Sequence, residues 1–533
     1  MDSVPETRGR AVRPILPLWG AVLASLVAGP VLDLAFPSTG WWPFAFVGVA
    51  FALVSLVGRS AWGGFLVGVV FGASFYLTHI DWITRYLGVI PWFALSGLQT
   101  LYVGLGSVLI ALAYRWMPRI LPARWARLTL LPLLVGGLWT MRELVMGSFP
   151  YGGFPWGRIG MSQSESPLAH LVSWTGVAGL TFLMVVLCAA AIECVRVARL
   201  REWWTAIPSA VLVLLLLATP AFPTTAAGDY TVGAVQGDGP TGYFDPRSRN
   251  EVLNSQLAAT APLYGQDMDL LVWPEGSMDS DPLRDPSTAA ALDVVAGRVG
   301  APLLVNAATQ RGDEFFNASI LWKPGLGPTQ EYDKTHPVVF GEWVPDRWLY
   351  EAIVPDLIGL LQREYTPGTK PPYMDVDGVG IGLAICFDVV YDDIIWDAAR
   401  DGAEVYVLQT NNADFRGTDE NLQQLAFARM RAIETGRSVV NLSTVGTSQV
   451  IAPDGTELDG LPEGEPGAML TTLPLRTGLT PAVLLGPWIQ ALLAWGSLAA
   501  FLALSVAHVV RRRARASSSP SRSVAKRASS PAL

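Results

Sequence analysis

The sequence predicts two architectures in one chain: a polytopic α-helical membrane part of about eight spans, and a layered α/β domain inserted before the last span. Three observations carry this. Of 533 residues, 51% are hydrophobic and 15% charged, with a mean hydropathy of +0.36, too apolar for an all-soluble protein. The charges are segregated: residues 229–476 hold 37 of the 45 carboxylates but 16 of the 37 Lys and Arg, a net of −21, which leaves +13 for the remainder. Apolar runs approaching the roughly 20 residues needed to cross a bilayer recur along the basic remainder. This composition excludes a disordered chain, a collagen-like chain and a disulfide-stapled secreted domain.

The apolar runs lie near 15–36, 41–58, 61–80, 90–114, 128–147, 168–195, 204–222 and 482–510. They divide the chain into a seven-helix membrane domain (1–222), an extracytoplasmic domain (223–480), an eighth transmembrane helix (481–510) and a disordered basic tail (511–533). The first run is not a cleavable signal, since further spans follow at once. An even span number puts both ends on one side. With that side cytoplasmic, Arg8, Arg10, Arg13, Arg59, Arg115, Arg119, Arg124, Arg127, Arg196, Arg199, Arg201 and Arg511–Arg513 all fall inside, leaving Arg85 and Arg158 in the short outer loops. The acidic domain then lies away from anionic inner-leaflet lipid, and the basic tail is explained by lipid headgroups without a nucleic-acid partner.

Two polar features interrupt the membrane part. Arg142 and Glu143 stand within the fifth run, where an unpaired charge costs at least about 2.5–3.5 kcal/mol; local pairing and a functional role both account for them. The loop 148–167 is rich in aromatic residues, Gly and Pro. It reads either as an interfacial aromatic belt or as a re-entrant loop that helps to hold a lipid.

In the acidic domain, Tyr230–Gln236, Asp269–Trp273, Pro302–Ala307, Ile381–Cys386 and Val405–Gln409 read as buried strands, and 249–263, 287–299, 392–401 and 420–436 as helices. That alternation predicts an α/β or α-β-β-α layered domain. Polar residues at strand ends are candidates for a site. Leu-Leu-Val-Trp-Pro-Glu delivers Glu275, a following loop carries Lys334 and Glu342, and Gly-Leu-Ala-Ile-Cys-Phe-Asp delivers Cys386. A thiol with a carboxylate to take its proton and an ammonium to hold negative charge makes an activated nucleophile. Taken singly, each has a plainer reading: a core cysteine, a loop-end glutamate, a surface lysine. Spacings of 59 and 52 residues do not bring the three together by themselves. The four histidines and three cysteines assemble no zinc-type ligand spacing.

The order Trp-Pro-Glu, then Tyr-Asp-Lys-x-His-x-x-x-Phe-Gly-Glu, then Ile-Cys-Phe-Asp resembles the nitrilase (carbon-nitrogen hydrolase) superfamily. Bracketed by seven spans and one, it resembles the bacterial apolipoprotein N-acyltransferase family over nearly the whole chain. Val235-Gln236-Gly237, the stretch Gln424–Arg437, and Gly153-Phe154-Pro155-Trp156 with Ser162-Gln163 fit the same family. The resemblance implies a nitrilase-like α-β-β-α sandwich in a multi-pass protein of the bacterial cell membrane. It makes Glu275 the general base, Lys334 the oxyanion and thiolate stabiliser and Cys386 the nucleophile. Glu342, Phe387 and Asp388 are supporting residues, and Trp343, Phe340 and Trp156 substrate-binding ones. It implies no metal or cofactor, a phospholipid acyl donor, a diacylglyceryl apolipoprotein acceptor and a monomer. Two departures stand out: Phe387-Asp388 replaces the family's usual Tyr-Glu, and the usual Trp before Phe415 is absent. A membrane-tethered amidase or nitrilase and a non-enzymatic transporter or scaffold remain alternatives.

Overall fold

The computed structural model describes residues 13–197, 207–361 and 363–517. Every apolar run carries a helix: α1 (Leu18–Asp33), α2 (Pro43–Leu56), α3 (Ala61–His79), α4 (Val89–Ile120), α5 (Leu130–Met146), α6 (Val172–Val197) and α7 (Ile207–Ala218). The last run carries α12 (Pro481–Ala491), a π turn at Leu492–Gly496 and α13 (Ser497–Ser517). Five of these helical segments are long and apolar enough to cross a membrane; α1 and α2 are apolar but shorter. Their outward faces expose Trp19, Trp62, Leu214, Trp488 and Leu492, as a lipid-facing surface does. Small residues let the helices approach closely: a Cβ on Gly29 would stand 2.4 Å from the backbone nitrogen of Phe75. The final helix runs to Ser517, past the expected end at 510, and Arg511 donates to the carbonyls of Arg119 and Ile120. The rest of the expected disordered tail lies outside the described residues.

Residues 225–477 form two six-stranded sheets. The first has the order β12 (Gly467–Thr477), β1 (Thr225–Gln236), β2 (Leu270–Val272), β3 (Leu303–Arg311), β4 (Glu314–Lys323), β5 (Gly327–Asp333). The second has the order β11 (Glu457–Leu461), β10 (Ser448–Ile451), β9 (Ser438–Ser443), β8 (Val405–Thr410), β7 (Val379–Ile385), β6 (Tyr373–Val376). Each has a parallel centre, β1-β2-β3 or β9-β8-β7, with antiparallel strands outside it. Between the sheets lies a dry layer including Val232, Val272, Leu321, Leu383, Val407 and Val440, and strands buried on both faces read as continuous apolar runs.

Helices α8 (Glu251–Thr260) and α9 (Pro286–Val299) cover the outside of the first sheet, as the cluster of Leu253, Leu292, Val295 and Val305 shows. Helix α9 starts where Asp285 accepts from the backbone of Ser287 with Pro286 at its first position, and it stops at left-handed Gly300. Helices α10 (Asp392–Arg400) and α11 (Glu420–Thr435) cover the second sheet. Their far side packs on the membrane helices, so one apolar cluster runs from Ala21 through Trp139 and Ile395 to Leu504. The layered domain thus shares a core with the helical part.

Candidate active site

The parallel strands point their carboxyl ends at one place, the usual position for a site in such sheets. Glu275 follows β2, Lys334 follows β5 and Cys386 follows β7. Lys334 Nζ lies 2.8 Å from Glu342 Oε2 and 3.5 Å from Glu275 Oε1. Asn317 on β4 joins the two carboxylates, donating to Glu275 at 2.7 Å and to Glu342 at 2.9 Å. Lys334 is 1% and Glu275 7% exposed. Glu275, Lys334, Glu342 and Cys386 therefore meet from three loops separated by up to 111 residues of sequence.

Cys386 sits at φ 51°, in the left-handed region that a side chain other than Gly rarely adopts. The turn lifts Sγ clear of its strand and leads into the 3₁₀ turn Cys386–Val390. What holds this elbow is Asp388, which is fully buried. It accepts from the backbone nitrogens of Ile385 (3.2 Å) and His336 (3.1 Å) and from Tyr332 Oη (3.3 Å). Its role here is to brace the nucleophile turn against the loop that carries Lys334.

Burial pushes the Cys386 thiol well up, the Glu275 carboxylate adds to this, and the Lys334 ammonium opposes it. Burial also raises Glu275, with Lys334 acting in the opposite sense. Burial works against the charge on Lys334, but Glu342 and Glu275 outweigh it and the amine stays well above its ordinary value. The resting arrangement is thus a neutral thiol beside a carboxylate that is a stronger base than usual, with a permanent cation at hand.

A cavity of about 770 Å³ opens over these groups, lined among others by Tyr86, Tyr243, Asn317, Arg363, Tyr365 and Phe415. Tyr86 comes from the turn between α3 and α4, and its hydroxyl donates to the carbonyl of Gly341 at 3.3 Å. The helical part therefore contributes Tyr86 to the cavity lining. Trp343, Phe340 and Trp156 do not line it. Trp343 donates to the carbonyl of Pro337, and Phe340 packs edge-on against Tyr350 in a small cluster with Val344 and Ile358. Trp156 is 1% exposed; its indole donates to Gln423 at 2.6 Å and its ring stacks on Phe387.

Around Trp156 the loop 148–167 is neither a surface belt nor open to lipid, since Pro155–Gly157 and Ile159–Gln163 are buried, whereas Phe149 at its start is 65% exposed. From it Arg158 donates to both oxygens of Asp392 (2.7 and 3.0 Å) and to the carbonyl of Val390 (2.8 Å). Arg431 on α11 donates to the carbonyls of Val389 and Val390 and pairs with Asp392. Two guanidinium groups thus grip the end of the elbow. Arg142 and Glu143 pair loosely at 3.7 Å, and Glu143 is further tied to Trp139, Thr181 and the backbone of Ile159.

Sequence reasoning missed Asn317, Tyr86 and Arg158 as parts of the site. Asn317 carries no motif and is placed by strand pairing alone; Arg158 carried a signal, as one of two basic residues in the short outer loops. Among the described residues no group of His, Cys, Asp and Glu is arranged to hold a metal.

Residues 28–190 match the family model for the apolipoprotein N-acyltransferase N-terminal domain, and residues 231–478 that for carbon-nitrogen hydrolases. The chain is 32% identical to the apolipoprotein N-acyltransferase of Mycolicibacterium smegmatis over 90% of this chain and 84% of that one. It is 29% identical to the enzyme of the same name from Azotobacter vinelandii over 95% and 98%, and 26% identical to that of Photobacterium profundum over 88% and 92%.

Proposed function

The chain belongs to the apolipoprotein N-acyltransferase family and is a membrane acyltransferase of lipoprotein biosynthesis, and on that premise we propose how its residues carry the reaction. Cys386 is the nucleophile, Glu275 the general base and acid, Lys334 the stabiliser of thiolate and oxyanion, and Glu342 the carboxylate that keeps Lys334 charged and in place. The supporting observation is that Cys386, Glu275, Lys334 and Tyr86 of the helical part border one cavity, so the site opens where two membrane-anchored substrates meet.

Glu275 takes the thiol proton as Sγ attacks an ester carbonyl of a membrane phospholipid. Lys334 holds the charge on the tetrahedral oxygen. The C–O bond breaks, Glu275 protonates the departing alkoxide, and a lysophospholipid leaves an acyl thioester on Cys386. The α-amino group of an N-terminal diacylglyceryl-cysteine then attacks the thioester. Its proton passes to Glu275, the C–S bond breaks, and the thiol is restored as the amide forms.

Residues 1–222 form the membrane domain, 223–480 the extracytoplasmic catalytic domain and 481–510 the closing span, with both termini cytoplasmic; the arginine distribution supports this orientation. The protein acts as a monomer, since one chain supplies every residue invoked. Trp348 and Ile353, 73% and 65% exposed beside the loop that carries Glu342, meet lipid at the cavity rim; protection of 337–361 from trypsin or hydrogen exchange rises when lipid is added.

Intact-mass measurement after incubation with a defined phospholipid tests the reading. The expected result is an acyl adduct that hydroxylamine removes and that Cys386→Ala does not form. Adduct on Cys386→Ala overturns the assignment, and free fatty acid or ammonia released without any adduct points to a hydrolase instead.

A further inference from the structure

A buried hydrogen-bond chain reaches Cys386 through α11, and its direction can be fixed from donor to acceptor. The backbone N–H of Gly446 donates to Ser443 Oγ at 2.8 Å. Ser443 in turn lies 2.6 Å from Asn412 Oδ1 as donor. Asn412 must then turn its amide nitrogen the other way, and both of its hydrogens are committed: one to Glu420 Oε2 at 2.7 Å, one to Gln424 Oε1 at 2.6 Å. With its oxygen occupied, Gln424 points its own nitrogen at the thiol, Nε2 to Sγ 3.6 Å. Ser443, Asn412, Glu420 and Gln424 are all at least 97% buried, so water does not scramble the sequence of donors. The four members come from three places beside the elbow: Ser443 from the end of β9, Asn412 from the loop after β8, and Glu420 and Gln424 from the first two turns of α11.

We propose that Gln424 is a catalytic residue of the acyl transfer, its side-chain amide donating to Cys386 Sγ, and that Asn412, Ser443 and Glu420 are positioning residues that fix which end of the amide faces the sulfur. The proposal rests on Cys386 being the nucleophile. In the resting thiol, S–H faces Glu275 while sulfur accepts from Gln424. Once the proton has moved to Glu275, the amide N–H and the Lys334 ammonium flank the thiolate from two sides. The same N–H receives sulfur again when the C–S bond of the thioester breaks, so one donor serves both half-reactions without gaining or losing a proton. Glu420 completes the frame: burial holds its carboxyl up to about 8, so at neutral pH it accepts from Asn412 without placing a second full negative charge near the thiolate.

The test uses the full-length protein in detergent with Cys188→Ala and Cys194→Ala, so that Cys386 is the one thiol left. Its alkylation by iodoacetamide is followed by intact mass across about pH 6 to 10, and adduct formation from dioleoyl phosphatidylethanolamine is timed in a single turnover. Gln424→Met keeps the length and removes the donor. It is expected to move the alkylation midpoint up by about one pH unit and to slow adduct formation about tenfold at neutral pH, with its lipid dependence unchanged. Asn412→Asp leaves Gln424 in place but offers it a carboxylate, so its amide turns its nitrogen away from sulfur and the same shift follows. Wild-type alkylation profiles in both variants overturn the proposal, whatever happens to turnover, because a purely structural role does not move the thiol. Cys386→Ala separates the two readings: an adduct in that variant overturns the nucleophile assignment, whereas its loss together with unshifted profiles overturns Gln424 alone.

Discussion

The ring of Phe387 lies parallel to that of Trp156, 8° apart in plane with centroids 5.8 Å apart. Phe387 follows the proposed nucleophile and Trp156 belongs to the loop between α5 and α6, so the helical part touches the elbow directly. Phe154 stacks on the same ring from the same loop, at 5.8 Å. Trp156→Ala is expected to cost about 3–5 kcal/mol of local stability and to slow acyl-adduct formation at least tenfold while leaving the protein in the membrane. Timed intact-mass measurement checks the rate, and thermal unfolding in detergent checks the stability. An unchanged rate rules out a part for this stack in setting the elbow.

Lys334 faces two carboxylates that would otherwise repel one another. Lys334→Met removes the oxyanion partner and is expected to lower adduct formation by about 10²–10³-fold. It also drives Glu275 further toward its protonated form, because Glu342 then acts on it unopposed. Glu342→Gln is expected to be milder, since Glu275 still holds the amine. A Glu342→Gln variant slower than Lys334→Met would contradict this order.

Arg158 ties the loop of the helical part to Asp392 and to the carbonyl of Val390. Burial disfavours the Asp392 carboxylate, yet Arg158 and Arg431 hold it well below the usual range. A carboxyl depressed in the folded state contributes stability above its unfolded value of about 4, and that contribution is lost as pH falls through the folded value. Arg158→Met is therefore expected to lose about 2–3 kcal/mol at neutral pH, with Arg431 still pairing Asp392. The gap between wild type and variant should close as the pH drops below about 4, which a series of melting curves will show.

Glu420 behaves in the opposite sense. Burial raises its carboxyl to about 8, so the folded state keeps a proton that the unfolded chain gives up near 4.5. Its contribution is complete below that lower value and drains away as pH rises toward 8. Glu420→Gln mimics the protonated form. Melting temperatures of the two proteins should coincide near pH about 4 and diverge toward pH about 8, with the variant higher. Parallel curves across that range would show that Glu420 does not titrate as described.

Much of this organisation was legible in the sequence. Val405–Thr410 and Pro286–Val299 appear within one residue of where a continuous apolar run and a helical pattern put them. The strands that escaped notice include Glu457–Leu461, short and nowhere fully buried, and Glu314–Lys323, buried from Asn317 to Trp322 but with Asn317 and Ser319 interrupting its apolar run. Glu275, Lys334 and Cys386 stood out because strand-end motifs frame them. Asn317 did not, because nothing within ten residues of it announces chemistry, and Asn412 is flagged only as a neighbour of the missing Trp before Phe415; pairing of β4 with β3 and β5, and burial against α11, bring them in. Asp388 is expected from the sequence only as a supporting residue, and its three bonds to Ile385, His336 and Tyr332 give it a place behind the elbow. Fixing that place requires knowing which side of the chain faces the cavity, and that depends on a positive φ at Cys386 that no sequence pattern reports.

The junction of α12 with the layered domain also dictates an order of events during synthesis. Thr480 donates to the carbonyl of Glu434, Arg400 to that of Val483, and Gln490 to Asp392. A Cβ on Gly486 would stand 2.4 Å from the ring of Trp396, so the helix closes flush against α10. The ribosome makes this helix after both sheets and after α10 and α11, so the face of the Trp396 ring that Gly486 covers waits until α12 is made. Docking of the catalytic half on the membrane part is thereby completed only once α12 is made, and a chain stopped before it would leave that face of Trp396 bare.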